Sequence, residues 1–167
     1  QVENRRNVLR FEGVYMNCGV WVNGKKAGEW KYGYATFEID ISSFVQEGEN
    51  LIEVLVVYQN CNTRWYSGAG IFRDVTFINS ALTYLPTDGL YISNKITDDA
   101  NIWKTKISVE VEGPVDGHKV VTTIADKTGA LLITSSSNVE SNKVISEHSV
   151  NSPHLWDIDD PFFYIAT

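Results

Sequence analysis

This chain has few cysteines, few histidines and a deficit of basic charge, and each shortage excludes a class of function. Two cysteines, Cys18 and Cys61, allow at most one disulfide, so no disulfide framework can organise the fold. Cys18 lies in an apolar stretch and reads as a small buried thiol, whereas Cys61 falls in the polar run Gln59 to Thr63. Lys and Arg number 14 against 21 Asp and Glu, a net charge of −7 that opposes a phosphate-binding surface. No nucleic-acid partner is expected, and the one basic cluster, Arg5-Arg6 with Arg10, reads as a solvated strand end. His118, His148 and His154 have no ligand-like spacing, so no zinc site is expected. Asp98-Asp99 and Asp157 with Asp159-Asp160 offer hard oxygens, but without the spacing and glycine of a calcium loop they read as polar loops. A Gly-rich phosphate loop and a nucleophile elbow are both missing, and no cofactor is expected. No apolar run is long enough for a membrane-spanning helix, and no leader-like segment opens the chain.

What is present is strand grammar. Apolar residues make up 43% of the chain and aromatics 12%, enough to pack cores in one large or two small domains. Val8 to Val14 reads as a strand, and Val20-Trp21-Val22 runs into Asn23-Gly24, a pair that tolerates positive φ in a tight hairpin. Ala35 to Ile39 alternates again. Asp40 to Val45 fits one short helical turn capped by Asp40 or Ser42. Leu51 to Tyr58 is mostly apolar, the pattern of a strand covered on both faces, and Ile71 to Ile78 closes the set. Asn79 to Asp88 reads as a junction. Beyond it Ile107, Val109 and Val111 share one strand face, and Val120, Thr122 and Ile124 another. Asp126 to Gly129 turns the chain, and strands follow at Ala130 to Thr134 and Lys143 to Val150. Short strands with turns at this spacing imply an immunoglobulin-type sandwich.

Several segments together are more specific than any strand. Phe11 to Asn17, Val20-Trp21-Val22-Asn23-Gly24, Gly28, Gly33 and Tyr34, Phe37 to Ile41 with Gly48-Glu49-Asn50, and Arg64 to Val75 occur in this order. They resemble the sugar-binding jelly-roll domain of family 2 glycoside hydrolases, the group of β-galactosidases, β-glucuronidases and β-mannosidases. Leu155-Trp156 with Pro161 to Tyr164 is similar to the close of that family's immunoglobulin-like second domain. The resemblance implies an all-β chain: a jelly-roll over residues 1–80, lacking N-terminal strands, then an immunoglobulin-like sandwich over 86–167. The second domain of relatives runs a few residues beyond Thr167. Strands missing from either domain would leave open edges, so the isolated chain is expected to self-associate edge to edge.

Aromatic faces stack on the apolar face of a pyranose while amide and charged groups bond its hydroxyls. Asn62, Arg64, Trp65 and Tyr66 share a loop rich in Asn, Ser and Gly and are the candidate sugar contacts. Packing against a neighbouring domain is the competing role for Trp65 and Tyr66. Arg73-Asp74 reads as an ion pair on a strand edge. Many relatives carry Asp-Asn where this chain has Val57-Tyr58, which removes a carboxylate from that place.

Glycoside hydrolysis needs two carboxylates flanking the scissile bond. Glu12, Glu38, Asp40, Glu47, Glu49 and Glu53 fall on strand faces and turns and read as solvated. The family's catalytic glutamates lie on a following (β/α)₈ barrel, which nothing here matches, so no catalytic residue is assigned. The resemblance thus implies the non-catalytic N-terminal part of a retaining hydrolase, a β-galactosidase or close relative, whose partners are a carbohydrate substrate and the barrel. The alternative is a free-standing carbohydrate-binding module. The acidic balance and the lack of an Asn-x-Ser/Thr sequon are compatible with bacterial cytoplasm or periplasm, though composition does not fix the compartment.

Overall fold

A computed structural model describes residues 2–59 and 68–167, and the described elements are all strands. The chain divides into two compact units, Gln1–Leu82 and Thr83–Thr167.

The first unit contains β1 (Arg6–Phe11), β2 (Val14–Tyr15), β3 (Cys18–Val22), β4 (Lys25–Trp30), β5 (Phe37–Asp40), β6 (Ile52–Val56), β7 (Gly70–Ile71) and β8 (Val75–Ser80). They form a β5-β1-β8 sheet, a β4-β3-β6 sheet and a small β2-β7 pair, all antiparallel. Alternation explains the core: Leu9 and Phe11 on β1, Val20 and Val22 on β3, and Phe37 and Ile39 on β5 meet inside. Phe37 sits between Phe11 and Trp30, with ring centroids 5.0 and 5.3 Å away and planes nearly parallel. Asn23 (φ 51°) and Gly24 (φ 77°) make the β3-β4 hairpin with two left-handed residues, as the pair's chemistry demands. Asp40 Oδ1 accepts from the Ser42 amide, and the Val45 amide donates to the Ile41 carbonyl, so the expected helical turn is present.

Two expectations for this unit need correction. Leu51 to Tyr58 is not covered on both faces: β6 pairs with β3, and Leu55 is 58% exposed while Val54 and Val56 pack on the core. Its apolar run supplies one buried face and one open face. The basic cluster is not simply solvated either. Arg6 lies 3.2 Å from Glu38 Oε2 and Arg10 4.0 Å from Oε1, so Glu38 is a half-buried ion-pair partner. Arg5 donates to the side chain and carbonyl of Asn79.

The second unit contains β9 (Leu90–Ile96), β10 (Ile102–Glu110), β11 (Lys119–Asp126), β12 (Leu131–Asn138), β13 (Lys143–Asn151) and β14 (Tyr164–Ala166). Sheets ordered β13-β10-β9 and β12-β11-β14 enclose Ile107, Val109, Val111, Ile124, Val139 and Val144. This is the sandwich implied by the alternation, and Ser108, between Ile107 and Val109 in sequence, is also buried. Asp126 organises the β11-β12 turn, its Oδ1 accepting from the Thr128 amide and hydroxyl and the Ala130 amide. The Thr128 hydroxyl and amide hold the Asp126 carboxyl below its ordinary value.

Candidate functional site

The residues singled out as sugar contacts, Asn62, Arg64, Trp65 and Tyr66, lie outside the described residues, as does Cys61. The described chain on either side of them, Tyr58 and Gly68, borders an aromatic cluster in the first unit. Tyr15, at the end of β2, is its buried centre. The Tyr34 ring lies 5.2 Å from that of Tyr15, and the Tyr58 ring 6.4 Å. Tyr34 meets Tyr32 at 6.0 Å and Phe72 at 6.1 Å, both edge-on. Tyr32, Tyr34, Tyr58 and Phe72 all remain exposed.

Two glycines make this closeness possible. A Cβ on Gly33 would stand 2.3 Å from Cδ2 of Tyr15, and one on Gly13 2.6 Å from Cζ of Phe72. Only glycine lets those rings lie against the backbone there. Between Tyr15, Tyr34, Phe72 and the segment from Gly68 to Ile71 lies an open cleft of about 340 Å³. Its described walls are rings, small residues and backbone, which can stack on an apolar sugar face and bond its hydroxyls.

Sequence reasoning missed this cluster because Tyr15, Tyr34, Tyr58 and Phe72 are spread over 58 positions and read individually as strand or turn aromatics. One signal was available. The Val57-Tyr58 pair was already singled out as a departure from the family pattern, and Tyr58 proves to border the cluster. Arg73 does not pair with Asp74; its guanidinium lies 5.3 Å from the Phe72 ring centroid.

Other candidate chemistry resolves into local structure. Among the described residues no three His, Cys, Asp or Glu converge as metal ligands. Asp99 and Asp157 accept from backbone amides two residues on, and Asp160 bonds His154 at 2.6 Å. Cys18 is buried, and desolvation raises its thiol above the ordinary value.

The described sheets form a jelly-roll unit with an aromatic cleft, followed by an immunoglobulin-like sandwich. Comparison with known proteins agrees. Residues 1–81 match the family described as glycosyl hydrolases family 2, sugar binding domain. Residues 1–81 belong to that sugar-binding domain family, and similarity to family 2 glycoside hydrolases extends over nearly the whole chain. It is 30% identical to the β-galactosidase BoGH2A of Bacteroides ovatus over 93% of this chain and 19% of that protein. A putative β-glucuronidase of Formosa agariphila is 29% identical over 98% of this chain and 16% of its own length. Among solved structures, a β-glycosidase from Bacteroides vulgatus superimposes with TM-score 0.84 at 31% identity, covering 98% of this chain and 21% of that one. The chain spans between 15% and 25% of the length of the curated relatives it matches.

Proposed function

We propose that this chain is the non-catalytic N-terminal part of a glycoside hydrolase that cleaves O-glycosidic bonds, a β-galactosidase in preference to a β-glucuronidase. It scaffolds the catalytic barrel and lends its aromatic cleft to the outer wall of the substrate pocket. The observation that carries this reading is the exposed cluster of Tyr34, Tyr58 and Phe72 around Tyr15, beside the segment that holds Asn62, Arg64, Trp65 and Tyr66. Exposed aromatic patches of this kind mark ligand or domain contacts. The preference for a galactoside follows relatives named as β-galactosidases, those of Bacteroides ovatus and Staphylococcus xylosus among them.

The test is hydrolysis of nitrophenyl β-galactoside and β-glucuronide by this chain and by the longer protein that contains it. The expected result is a silent chain and a longer protein that prefers the galactoside. Hydrolysis by the chain itself would overturn the non-catalytic assignment. In the isolated chain, β6 presents an edge with exposed Ile52 and Leu55, and self-association through such an edge is expected. A concentration-independent monomer in sedimentation would refute that association.

A further inference from the structure

The outer face of the β4-β3-β6 sheet carries an aromatic surface that the hydrophobic core does not use. Along β3, Cys18, Val20 and Val22 point inward, so Gly19 and Trp21 point outward. The Trp21 indole folds back along its own strand: a Cβ on Gly19 would stand 2.5 Å from its Cη2 and Cζ3. Glycine at 19 therefore lets the indole lie flat on the sheet. Across the strands, Trp21 stands opposite Glu53 and Lys26, and Gly19 opposite Leu55 and Glu29. Lys26 Nζ is 5.9 Å from the indole centroid and 2.6 Å from Glu29 Oε2. Trp21 and Leu55 form a ridge between two shallow depressions of about 370 and 230 Å³. Glu53 borders the first; Lys26, Glu29 and Lys31 border the second.

We propose that this face is a carbohydrate-binding platform that takes a neutral hexopyranosyl residue of an oligosaccharide on the Trp21 indole. The Trp21 indole, half-buried against the sheet, offers a π face that matches the C–H face of a pyranose, and the groups around it are hydroxyl partners. Glu29 and Glu53 accept from hydroxyls, and Lys26 donates. Because Lys26 and Glu29 are already paired, a donor and an acceptor stand side by side for two neighbouring hydroxyls. The Lys26 side chain is half exposed, and its contact with the indole is of the weak surface kind, so it can move to the edge of an arriving sugar. The charges of Lys26, Lys31, Glu29 and Glu53 cancel within a chain of net −7, which suits a neutral sugar and gives a uronate no advantage. The choice of sugar over other flat ligands rests on the carbohydrate-active parent proposed above.

The experiment is a lactose titration of the ¹⁵N-labelled chain, following the Trp21 indole N–H, with sodium glucuronate as the acidic comparison. The expected result is a saturable Trp21 shift with Kd on the order of 1–10 mM for lactose and none for glucuronate. Trp21→Ala abolishes the lactose-induced shifts of the surrounding backbone amides, and Gly19→Ala weakens binding by displacing the indole. The doubly substituted Lys26→Gln, Glu29→Gln protein keeps the buried core and loses affinity at least about fivefold. No Trp21 shift up to about 50 mM lactose, or affinity unchanged in the double variant, overturns the platform. The hydrolase reading fails separately, on an inert longer protein, so the two failures are distinguishable.

Discussion

Asn23 adds side-chain bonds to the β3-β6 pairing, and replacing it measures how tightly the hairpin is tied to the turn before β6. Its Nδ2 donates to the Phe44 carbonyl and to Asn50 Oδ1, both at 2.9 Å, while its Oδ1 accepts from the Leu51 amide at 3.0 Å. Asn50 in turn bonds the Gln46 amide and carbonyl and the Gly48 carbonyl. The β3-β4 hairpin is thus stitched to the turn that enters β6. Asn23→Ala removes three side-chain hydrogen bonds, all near solvent, at about 0.5–1 kcal/mol each. It also places a Cβ-bearing residue without a compensating amide at φ 51°, which adds about 1 kcal/mol. The expected loss is about 3 kcal/mol for Ala and about 2 for Gly, which meets the backbone requirement but not the bonds. Urea unfolding followed residue by residue by NMR separates this unit from its neighbour, as a chain of two units is not assumed two-state. Asn50→Ala should cost a similar amount, and the double variant should fall short of additivity. Loss below about 0.5 kcal/mol for both Asn23 variants, or full additivity with Asn50→Ala, would refute the linkage.

Other perturbations report on separate parts. Ile107→Ala, at a fully buried position, should cost the second unit about 2–5 kcal/mol and leave the first unit's urea midpoint unchanged. Gly33→Ala should destabilise the first unit by about 1–3 kcal/mol, because its Cβ meets the buried Tyr15 ring; intact Tyr15–Tyr34 NOEs would contradict it. The Thr128 hydroxyl and amide hold the folded Asp126 carboxyl below its ordinary value, so its stabilisation is present above the unfolded pKa and lost as pH falls through the folded one. Asp126→Asn should accordingly make the second unit's urea midpoint less sensitive to acid; an unchanged pH profile would contradict the assignment.

Much of the fold could be read in advance because strand chemistry is local. Asn23-Gly24 admits few backbones other than a tight hairpin, and Asp40 followed by Ser42 announces its own cap. Alternation of Ile107, Val109 and Val111 marks a core face whatever the partner strands are. What escaped was non-local. A near-continuous apolar run such as Leu51 to Tyr58 looks the same whether its second face meets protein or water, and coverage depends on neighbouring strands. Glu38 looked solvated because Arg6 and Arg10 reach it only across the β1-β5 pairing. The aromatic cluster joins residues from four segments, and no spacing rule links Tyr15 to Tyr34, Tyr58 and Phe72. The candidate contacts Asn62, Arg64, Trp65 and Tyr66 rest on the motif, with Tyr58 and Gly68 as their described neighbours.

The central claim is that these residues are the front of a hydrolase whose chemistry lies elsewhere in the polypeptide. Reading the gene on either side of Gln1 and Thr167 tests it most directly. The account predicts a frame that continues past Thr167 for about 250 residues or more, with the alternating strand and helix periodicity of a barrel and two candidate glutamates. A stop codon close to Thr167 would contradict it and leave a free-standing sugar-binding module.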